Sequence, residues 1–472
     1  MTDEQHFDLL ILGGGMSYVG AIRAAQLGMK VAVIERDRLG GTCLNRGCIP
    51  SKALLETADL LHRVTAQGAE FGLTRNEQVG LDYPALGKRR DSVVDKHVKG
   101  VEFLMKKNAI TVLRGTGTVT GPTSVHVSGG EAGEIDVSAT DLILATGSAP
   151  RSLPGLDIDG ERIISSDEAL QRDEAPKRVT IVGAGAIGVE WASLYRDFGA
   201  EVHLVEYLDR IVPLEEPDVS KELTRVFKRR GIEIHVASTI DPQSIERTKD
   251  GLRFAIAAKD GGKRADVESD LILVAVGRRP LTDGIGLEKI PGLQLERGYV
   301  KVDGHMRTGV DHVYAIGDIV PGFQLAHVAS HEAVVAVETI AGRNPEPVRM
   351  DLMPRVTFCR PQIASVGLGE EEAKAAGHQV KAGSFPFRAL GKATIIGEVD
   401  GFAKLVTDAE TGLLLGAHLI GPHAGDLLAE PTLARLVEGT AEEIAMSVHA
   451  HPTLTEVLPE AALAVNGEAI HV

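Results

Sequence analysis

Residues 7–35 read FDLLILGGGMSYVGAIRAAQLGMKVAVIE. A short apolar run leads straight into three glycines, an alanine-rich helical pattern follows, and a second apolar run ends at Glu35. This order of strand, glycine turn, helix, strand and acid is typical of dinucleotide-binding folds, in which backbone N–H groups hold a pyrophosphate and the acid bonds a ribose. The stretch therefore predicts a parallel α/β sheet with a nucleotide at the glycines Gly13, Gly14 and Gly15.

A second copy of this pattern, VTIVGAGAIGVEWASLYRDFGAEVHLVE, occupies residues 179–206 and carries glycines at 183, 185 and 188. Its acid, Glu206, follows its first glycine by 23 residues, whereas Glu35 follows Gly13 by 22, so the first loop is one residue short. The third glycine allows the helix to pack closely on the strand. We expect Ser17, and not Tyr18, to take that place in the first copy, with the loop drawn tighter.

Residues 40–52 read GGTCLNRGCIPSK and hold two of the chain's three cysteines, Cys43 and Cys48. On one continuous helix their side chains would lie ~140° apart, although a distorted first turn could still bring the sulfurs together. Buried cysteines are common small hydrophobes, and the stretch has no further residues at metal-ligand spacing. A structural disulfide is not expected without a secretory signal. The flanking glycines, proline and lysine, next to a nucleotide loop, favour a reactive pair held against a cofactor.

Length and charge bound the function. A chain of 472 residues predicts three or four domains, and its formal charge of −16 argues against nucleic acid or an anionic membrane as a partner. No apolar run reaches the ~18 residues of a transmembrane helix. The start, MTDEQH, lacks a basic region followed by an apolar one, so a cytoplasmic location is expected.

Four further motifs occur downstream. Three combine an apolar strand pattern with glycine: DLILATGSAP at 141–150, LILVAVGRRP at 271–280 and TGVDHVYAIGD at 308–318. The fourth, HAHPTLTE at 449–456, places His451 five residues before Glu456. Histidine titrates near neutrality, so this spacing suits a base oriented by a carboxylate.

Together with the 43–52 stretch, these motifs resemble the flavin-dependent pyridine nucleotide-disulfide oxidoreductases, in particular the branch that oxidises dihydrolipoyl groups. The resemblance covers essentially the whole chain. It implies an α/β fold with two Rossmann-like dinucleotide-binding domains, for FAD and NAD, and a C-terminal α+β dimerisation domain. The implied boundaries are 1–150 and 280–349 for the FAD-binding domain, 151–279 for the NAD-binding domain and 350–472 for the dimerisation domain.

The resemblance also implies roles for individual residues. Cys43 would be the interchange thiol of a Cys43–Cys48 disulfide, Cys48 the thiolate at the flavin, and Lys52 a neighbour of the flavin ring that pairs with Glu190. His451 would be the base, reaching the disulfide of the other subunit, with Glu456 as its orienter. The implied cofactor-binding residues are Gly13, Gly14, Gly15, Ser17, Glu35, Gly41, Thr42, Lys52, Ala145, Thr146, Gly147, Gly183, Gly185, Gly188, Glu190, Glu206, Gly277, Gly317, Asp318 and Ala326.

The implied activity is oxidation of dihydrolipoyl to lipoyl groups through the disulfide and FAD, with hydride passed to NAD. The enzyme would be a homodimer that acts on the lipoyl-bearing acyltransferase of a 2-oxo-acid dehydrogenase complex or on free dihydrolipoamide. No metal site is predicted. Glu206 favours NAD over NADP, while Arg210 could either oppose that preference or neutralise Glu206. Arg46 could face solvent, His449 could be an accessory or a plain polar contact, and Cys359 is expected to be structural.

Three alternatives stay open. A mercuric reductase would carry a further cysteine pair at the C-terminus, whereas no cysteine follows Cys359. Reductases of glutathione type generally use NADPH, which Glu206 disfavours. A non-catalytic scaffold of an acyltransferase complex would result if the short first loop prevented FAD from binding.

Overall fold

The computed structural model describes residues 5–74, 79–131, 133–260, 262 and 265–471. The first four residues, which contribute to the expectation of a leaderless start, lie outside the described residues. None of the described helices has both the length and the apolar character that crossing a lipid bilayer requires.

The elements of residues 5–150 begin with a strand, a helix and a second strand, as the first glycine pattern predicts. In chain order they are β1 (Gln5–Leu12), α1 (Tyr18–Gln26), β2 (Val31–Glu35), α2 (Gly41–Arg46), α3 (Cys48–His62), a π-helix (Arg63–Gln67), α4 (Tyr83–Lys107), β3 (Thr111–Arg114), β4 (Thr116–Gly121), β5 (Ser124–Ser128), β6 (Ile135–Leu144) and β7 (Ser148–Pro150).

The elements of residues 151–277 contain the second glycine pattern. In chain order they are β8 (Ile163–Ile164), α5 (Ser166–Ala169), β9 (Arg178–Val182), α6 (Ala186–Asp197), β10 (Glu201–Val205), α7 (Pro217–Arg229), β11 (Ile232–His235), β12 (Ser238–Ile240), a 3-10 helix (Pro242–Ser244), β13 (Glu246–Arg247), β14 (Leu252–Ala258), β15 (Ala265–Ser269) and β16 (Leu271–Val274).

The remaining elements end in an α+β region. They are β17 (Arg278–Pro280), a 3-10 helix (Leu287–Lys289), β18 (Leu295–Glu296), β19 (Tyr299–Val300), β20 (Val313–Ala315), a 3-10 helix (Gly317–Ile319), α8 (Ala326–Ile340), a 3-10 helix (Met350–Leu352), β21 (Arg355–Thr357), β22 (Gln362–Gly367), α9 (Glu370–Ala375), β23 (Val380–Pro386), a 3-10 helix (Phe387–Ala389), α10 (Gly391–Ile396), β24 (Phe402–Asp408), β25 (Leu414–Gly421), α11 (Ala424–Leu427), α12 (Ala429–Leu436), α13 (Ala441–Met446), a 3-10 helix (Leu454–Glu456) and α14 (Val457–Ala464).

The chain divides into two compact units. Unit 1 contains Met1–Ala53, Gly87–Pro150 and Arg278–Met350. Unit 2 contains Leu54–Leu86, Arg151–Gly277 and Asp351–Val472. The chain therefore leaves unit 1 three times and returns to it twice.

Unit 1 is built on one sheet with the strand order β3-β2-β1-β6-β5-β4, and β20 pairs with β6. The strands β1, β2, β3, β6 and β20 pair in parallel. Leu9, Leu10 and Ile11 of β1 are fully buried, as expected for a central parallel strand that is covered on both faces. Helices α1 and α8 approach closely, because a Cβ atom at Gly20 would lie 3.0 Å from the Cβ atom of Ala333.

Unit 2 contains a five-stranded parallel sheet of order β11-β10-β9-β16-β8 and a separate antiparallel sheet of order β21-β22-β25-β24-β23. Helix α14 packs on the second sheet, and the two share an apolar core that includes Phe385, Leu405, Leu419 and Leu458. The predicted fold class, two Rossmann-like regions followed by an α+β region, is confirmed.

The two glycine loops differ at the position where the helix packs against the carbonyl oxygen of the first glycine. A Cβ atom at Gly188 would lie 1.8 Å from the carbonyl oxygen of Gly183, so only glycine fits at the start of α6. In the first copy Ser17 stands next to the equivalent carbonyl, since its hydroxyl donates a hydrogen bond to the oxygen of Gly13. Ser17 is buried, and Tyr18 lies one position further on as the first residue of α1. A loop shorter by one residue thus accommodates a small polar side chain in place of glycine.

We predict that Gly188→Ala destabilises the protein by about 1–3 kcal/mol, because the added methyl group overlaps a backbone oxygen and α6 must move. Gly185→Ala is the matched control: nothing lies within 4 Å of its Cβ position, so its effect on folding should stay within about 0.5 kcal/mol. The measurement is the midpoint of unfolding in urea without added nucleotide. Equal midpoints for the two variants would contradict this description of the loop.

Candidate active site

The two cysteines sit on either side of a helix break. Cys43 lies in α2, Cys48 begins α3, and Gly47 between them has φ −141° and ψ −111°. A Cβ atom at Gly47 would lie 3.0 Å from the carbonyl oxygen of Thr42 and 3.3 Å from the Cα atom of Cys43. The break removes the ~140° separation that one continuous helix would impose. The structure holds the pair as thiols, and the Cys43 thiol is hydrogen bonded to Cys48.

The electrostatics of the pair distinguish its two sulfurs. The hydrogen bond to Cys48, together with burial, raises the pKa of Cys43 above its usual range, and the nearby Lys52 only partly opposes this. Cys48 stands at the N-terminus of α3, a helix of 15 residues whose dipole stabilises an anion there. We infer that the pair carries its first negative charge on Cys48, while Cys43 keeps its proton.

Arg46, Tyr18 and Lys52 lie near the cysteine pair in sequence or in space. Arg46 forms an ion pair with Asp37, and both side chains are more than 40% exposed, so Arg46 belongs to a surface pair of small energetic weight. Tyr18 is a neighbour of Cys43, and burial together with this thiol raises the pKa of the Tyr18 hydroxyl. Lys52 also lies close enough to act on the charge of Cys43.

The two strand-end acids bind their loops in the same way. The Glu35 carboxylate accepts hydrogen bonds from the N–H groups of Gly14 and Asp37, both at 2.8 Å. The Glu206 carboxylate accepts from Ala184 at 2.7 Å and Leu208 at 2.8 Å. In each copy the acid therefore ties the glycine turn to the chain that follows the second strand.

Arg210 does not neutralise Glu206. Its guanidinium donates to the carbonyl oxygen of Pro213 at 3.1 Å, and no ion pair between Arg210 and Glu206 occurs in the part of the chain that the structure describes. Among the described residues, the hydrogen bonds to the carboxylate of Glu206 come from backbone N–H groups. Arg210 therefore does not mask the carboxylate of Glu206.

Each loop leaves room for a dinucleotide beside the glycine two residues after its first glycine, which is Gly15 in the first loop and Gly185 in the second. Nothing lies within 4 Å of a Cβ position on Gly185, and only the Cα atom of Gly41, at 3.9 Å, does so for Gly15. Gly41 itself has φ +56°, and a Cβ atom there would lie 2.7 Å from the Cα atom of Gly15. The backbone is thus bare where a pyrophosphate would approach, and these residues fit FAD at the first loop and NAD at the second.

The predicted residues at the end of β6 meet the chain that returns to unit 1. The Thr146 hydroxyl donates to the carbonyl oxygen of Leu281 at 2.7 Å, and the Leu281 N–H donates to Gly147 at 2.9 Å. Ala145 places its carbonyl oxygen only 2.2 Å from the Cβ position of Gly13, which explains the glycine there. In unit 2, Gly277 accepts a hydrogen bond from the N–H group of Arg151 at 3.1 Å.

Asp318 lies in a polar cluster of unit 1 at the N-terminal side of α8, the helix that begins at Ala326. The Ser148 hydroxyl donates to its carboxylate, and the Arg278 guanidinium donates to that hydroxyl at 2.7 Å. Gly317 has φ +74° and donates its N–H to the carboxylate of Glu332 at 2.7 Å. Glu332 is a residue of this cluster that the sequence reasoning missed. Its one signal is an acid directly before the apolar run AVVAV at residues 333–337.

His451 and Glu456 form the predicted pair within unit 2. The Nδ1 atom of His451 lies 2.9 Å from Oε1 of Glu456, and the other carboxylate oxygen accepts from the Thr453 N–H at 2.8 Å. Burial raises the pKa of Glu456, but these hydrogen bonds outweigh it and the net shift is downward, so the carboxylate stays ionised. An ionised acceptor at Nδ1 assigns the ring proton there and leaves Nε2 as a base. The imidazole is 77% exposed and so is open to a second molecule.

Three other side chains of unit 2 have plain structural contacts. Nε2 of His449 lies 2.9 Å from the Glu430 carboxylate, so this histidine makes a polar contact. The Glu190 carboxylate is buried on α6 and accepts from the Phe358 N–H at 2.8 Å. Cys359 is buried and donates to the carbonyl oxygen of Pro361 at 3.1 Å. The pairing of Glu190 with Lys52 stays a prediction.

Several large apolar side chains are exposed in the segment that precedes His451 in the chain. They lie on or just after α12 and α13, each 59–97% exposed: Leu433, Leu436, Val437, Met446 and Val448. Large exposed apolar side chains are typical of interaction surfaces when they form one patch.

We predict that Glu332→Gln stabilises the protein above neutral pH. Burial raises the pKa of Glu332 from 4.5 to about 7, against the hydrogen bond from Gly317. The folded state therefore keeps a proton that the unfolded state has released, and this contribution is complete below pH 4.5 and lost as pH rises through about 7. Glutamine keeps an acceptor for Gly317 without the charge, a difference on the order of 3 kcal/mol at most.

The measurement is the midpoint of thermal unfolding at pH 5 and pH 8, with the exposed Glu346→Gln as control. The advantage of Glu332→Gln over wild type should grow between the two pH values, and that of the control should not. Parallel pH curves for all three proteins would show that Glu332 is ionised in the folded state.

Known proteins share both the sequence and the fold. The profile of the pyridine nucleotide-disulphide oxidoreductases matches residues 7–333, and that of their dimerisation domain matches residues 353–462. A dihydrolipoyl dehydrogenase of Bacillus subtilis is 45% identical over 98% of this chain and 99% of its own length, and one of Zymomonas mobilis is 44% identical over 99% of each. The crystal structure of LpdA from Mycobacterium tuberculosis superimposes with a TM-score of 0.88 at 27% identity, over 97% of this chain and 99% of that one. The chain belongs to the pyridine nucleotide-disulphide oxidoreductase family.

Proposed function

We propose that the protein is a dihydrolipoyl dehydrogenase, which oxidises dihydrolipoyl groups to lipoyl groups and delivers the electrons to NAD. The observation that carries the proposal is the contact between Cys43 and Cys48 at the start of α3, since it provides a dithiol able to exchange with another dithiol. The family membership and the name shared by relatives that are 44–45% identical support it. The His451–Glu456 pair supplies the base that thiol exchange requires.

The chain's residues divide between two cofactors. FAD would be held by Gly13, Gly14, Gly15 and Glu35 with the Gly317–Asp318 segment, and NAD by Gly183, Gly185, Gly188 and Glu206. When bound, the two cofactors supply the hydride transfer that removes the electron pair from the dithiol. We assign residues 1–150 and 280–349 to FAD, 151–279 to NAD and 350–472 to dimerisation.

The protein's own residues perform the thiol chemistry. His451 of a second copy takes the proton of one substrate thiol, and the resulting thiolate attacks the sulfur of Cys43. The Cys43–Cys48 bond breaks, and Cys48 leaves as a thiolate, stabilised by the N-terminus of α3. A leaving thiol with a low pKa departs faster, so attack on Cys43 is the favoured direction.

The second substrate thiol then attacks the mixed disulfide. The lipoyl disulfide forms, the bond to Cys43 breaks, and the proton of the second thiol passes to the Cys43 sulfur. The substrate has lost two electrons and two protons. The protein holds two more electrons, one proton on His451 and one on Cys43. The products on the protein are thus a Cys43 thiol beside a Cys48 thiolate, the charge distribution inferred above from the raised pKa of Cys43 and the position of Cys48 at a helix N-terminus.

A symmetric homodimer is part of the proposal. The match to a dimerisation domain and the exposed apolar surface of α12 and α13 both support it. The dyad His451–Glu456 is exposed, which suits a base that acts on the neighbouring copy. The partner that carries the substrate would be the lipoyl-bearing acyltransferase of a 2-oxo-acid dehydrogenase complex, or free dihydrolipoamide would serve directly. A cytoplasmic location stays a prediction from the sequence.

The assay that tests this function is NADH formation from NAD and dihydrolipoamide. We expect activity in the wild type and a loss of at least about a thousandfold in Cys43→Ser, because a serine hydroxyl cannot form the disulfide. Cys359→Ser is the matched control, since serine can also donate the hydrogen bond that Cys359 gives to the carbonyl oxygen of Pro361, and its activity should stay within about twofold.

Purified wild type should also show a flavin absorption spectrum. A colourless protein would favour the non-catalytic scaffold, and reduction of NADP faster than NAD would overturn the assignment of Glu206. Retention of activity by Cys43→Ser would rule out the proposed dithiol exchange.

A further inference from the structure

Two neighbouring strands of unit 2 bring three metal-binding side chains together. His203 lies on β10, and Glu233 and His235 lie two residues apart on β11, so the latter two point to the same face. The strands are parallel, and His203 is directly opposite Glu233 in their register. This convergence is invisible in the sequence because 32 residues separate His203 from His235.

The three nearest ligand atoms have the spacing of a tetrahedral site. Nδ1 of His203 lies 3.3 Å from Nε2 of His235 and 3.4 Å from Oε2 of Glu233, and the last two atoms are 4.0 Å apart. Ligands ~2.1 Å from a zinc ion are ~3.4 Å from one another in a tetrahedron. One ion could therefore contact all three atoms after shifts of a few tenths of an ångström.

A fourth residue orients the first ligand. The Glu201 carboxylate lies 3.4 Å from Nε2 of His203, the ring nitrogen that faces away from the cluster. A carboxylate there holds the proton on Nε2 and leaves the lone pair of Nδ1 for a metal, as carboxylates behind metal-bound histidines do. His126 shows the opposite arrangement: Asp136 and Glu134 occupy its two ring nitrogens, at 2.8 and 2.7 Å, so its neighbours cannot share one ion with the ring.

The burial of the cluster suits an ion that enters from solvent. The side chain of His203 is 9% exposed, that of His235 22% and that of Glu233 62%. A groove that contains Lys228, Gly231 and the two β11 ligands opens next to the cluster.

We propose that His203, Glu233 and His235 form a binding site for a divalent transition-metal ion, with Zn²⁺ as the best geometric match and water as the fourth ligand. Two imidazoles favour zinc, nickel or copper over magnesium or calcium, which prefer oxygen ligands. The ion would join β10 to β11 where the N–H group of Glu206 donates to the carbonyl oxygen of His235 at 2.8 Å. Its role would be to brace the strand end that carries Glu206.

The test is equilibrium dialysis of the untagged, full-length protein against Zn²⁺, followed by metal analysis. Glu233→Gln and His235→Asn should each bind one Zn²⁺ fewer per chain than wild type, or bind it at least tenfold more weakly. His126→Asn is the matched control and should bind as wild type does. Any zinc held by Cys43 and Cys48 is common to all four proteins, so the difference between them reports the proposed site.

A second readout separates binding from folding. Without zinc the midpoints of thermal unfolding of wild type and Glu233→Gln should agree, since Glu233 is largely exposed. Added zinc should raise the midpoint of wild type and of His126→Asn more than that of Glu233→Gln. Equal zinc stoichiometry and affinity in wild type, Glu233→Gln and His235→Asn would overturn the proposal.

Discussion

The contact between Cys43 and Cys48 depends on a single interruption of the helix. Had the chain continued as one helix from Gly41 to His62, the two sulfurs would face different sides of it. The break at Gly47 instead starts a new helix at Cys48 and leaves Cys43 in the short helix α2 before it. A side chain at position 47 would be crowded, because its Cβ atom would lie against the backbone of Thr42 and Cys43. The helix break therefore has two effects. It brings the two sulfurs together, and it places the sulfur of Cys48 at a helix N-terminus.

In the two nucleotide loops, too, one residue has two structural roles. Each strand-end acid accepts two backbone N–H groups, so the residue expected to bond a ribose also fixes the shape of its own turn. Each first glycine is required by a carbonyl oxygen of a neighbouring strand end, Ala145 or Ala275. The copies differ at the third glycine position: the Gly183 oxygen leaves no room for a side chain at Gly188, whereas Ser17 donates a hydrogen bond to the equivalent oxygen, that of Gly13. The first loop is therefore one residue shorter than the second and still makes the same hydrogen bonds to its strand-end acid.

The features that depend on neighbouring residues could be predicted from the sequence, whereas those that depend on tertiary packing could not. Strand and helix order around the glycine loops follows from local periodicity, and the His451–Glu456 pair lies within five residues, so both were predictable. The break at Gly47, the carboxyl of Glu332 beneath Gly317 and the convergence of His203 with His235 depend on which backbone segments pack against each other. Arg210 illustrates the converse: four residues from Glu206 in sequence, it donates to Pro213 instead.

The central claim is that a dithiol in one copy works with a histidine lent by the other. Mixing subunits tests it directly: Cys43→Ser and His451→Gln protomers, each inactive alone, are dissociated together and allowed to reassociate at equal concentration. In a mixed dimer one of the two sites combines an intact Cys43–Cys48 pair with an intact His451, so random pairing should restore about a quarter of wild-type NADH formation. If the histidine served the cysteines of its own chain, every site in the mixture would lack one group, and activity no higher than that of the separate variants would contradict the account.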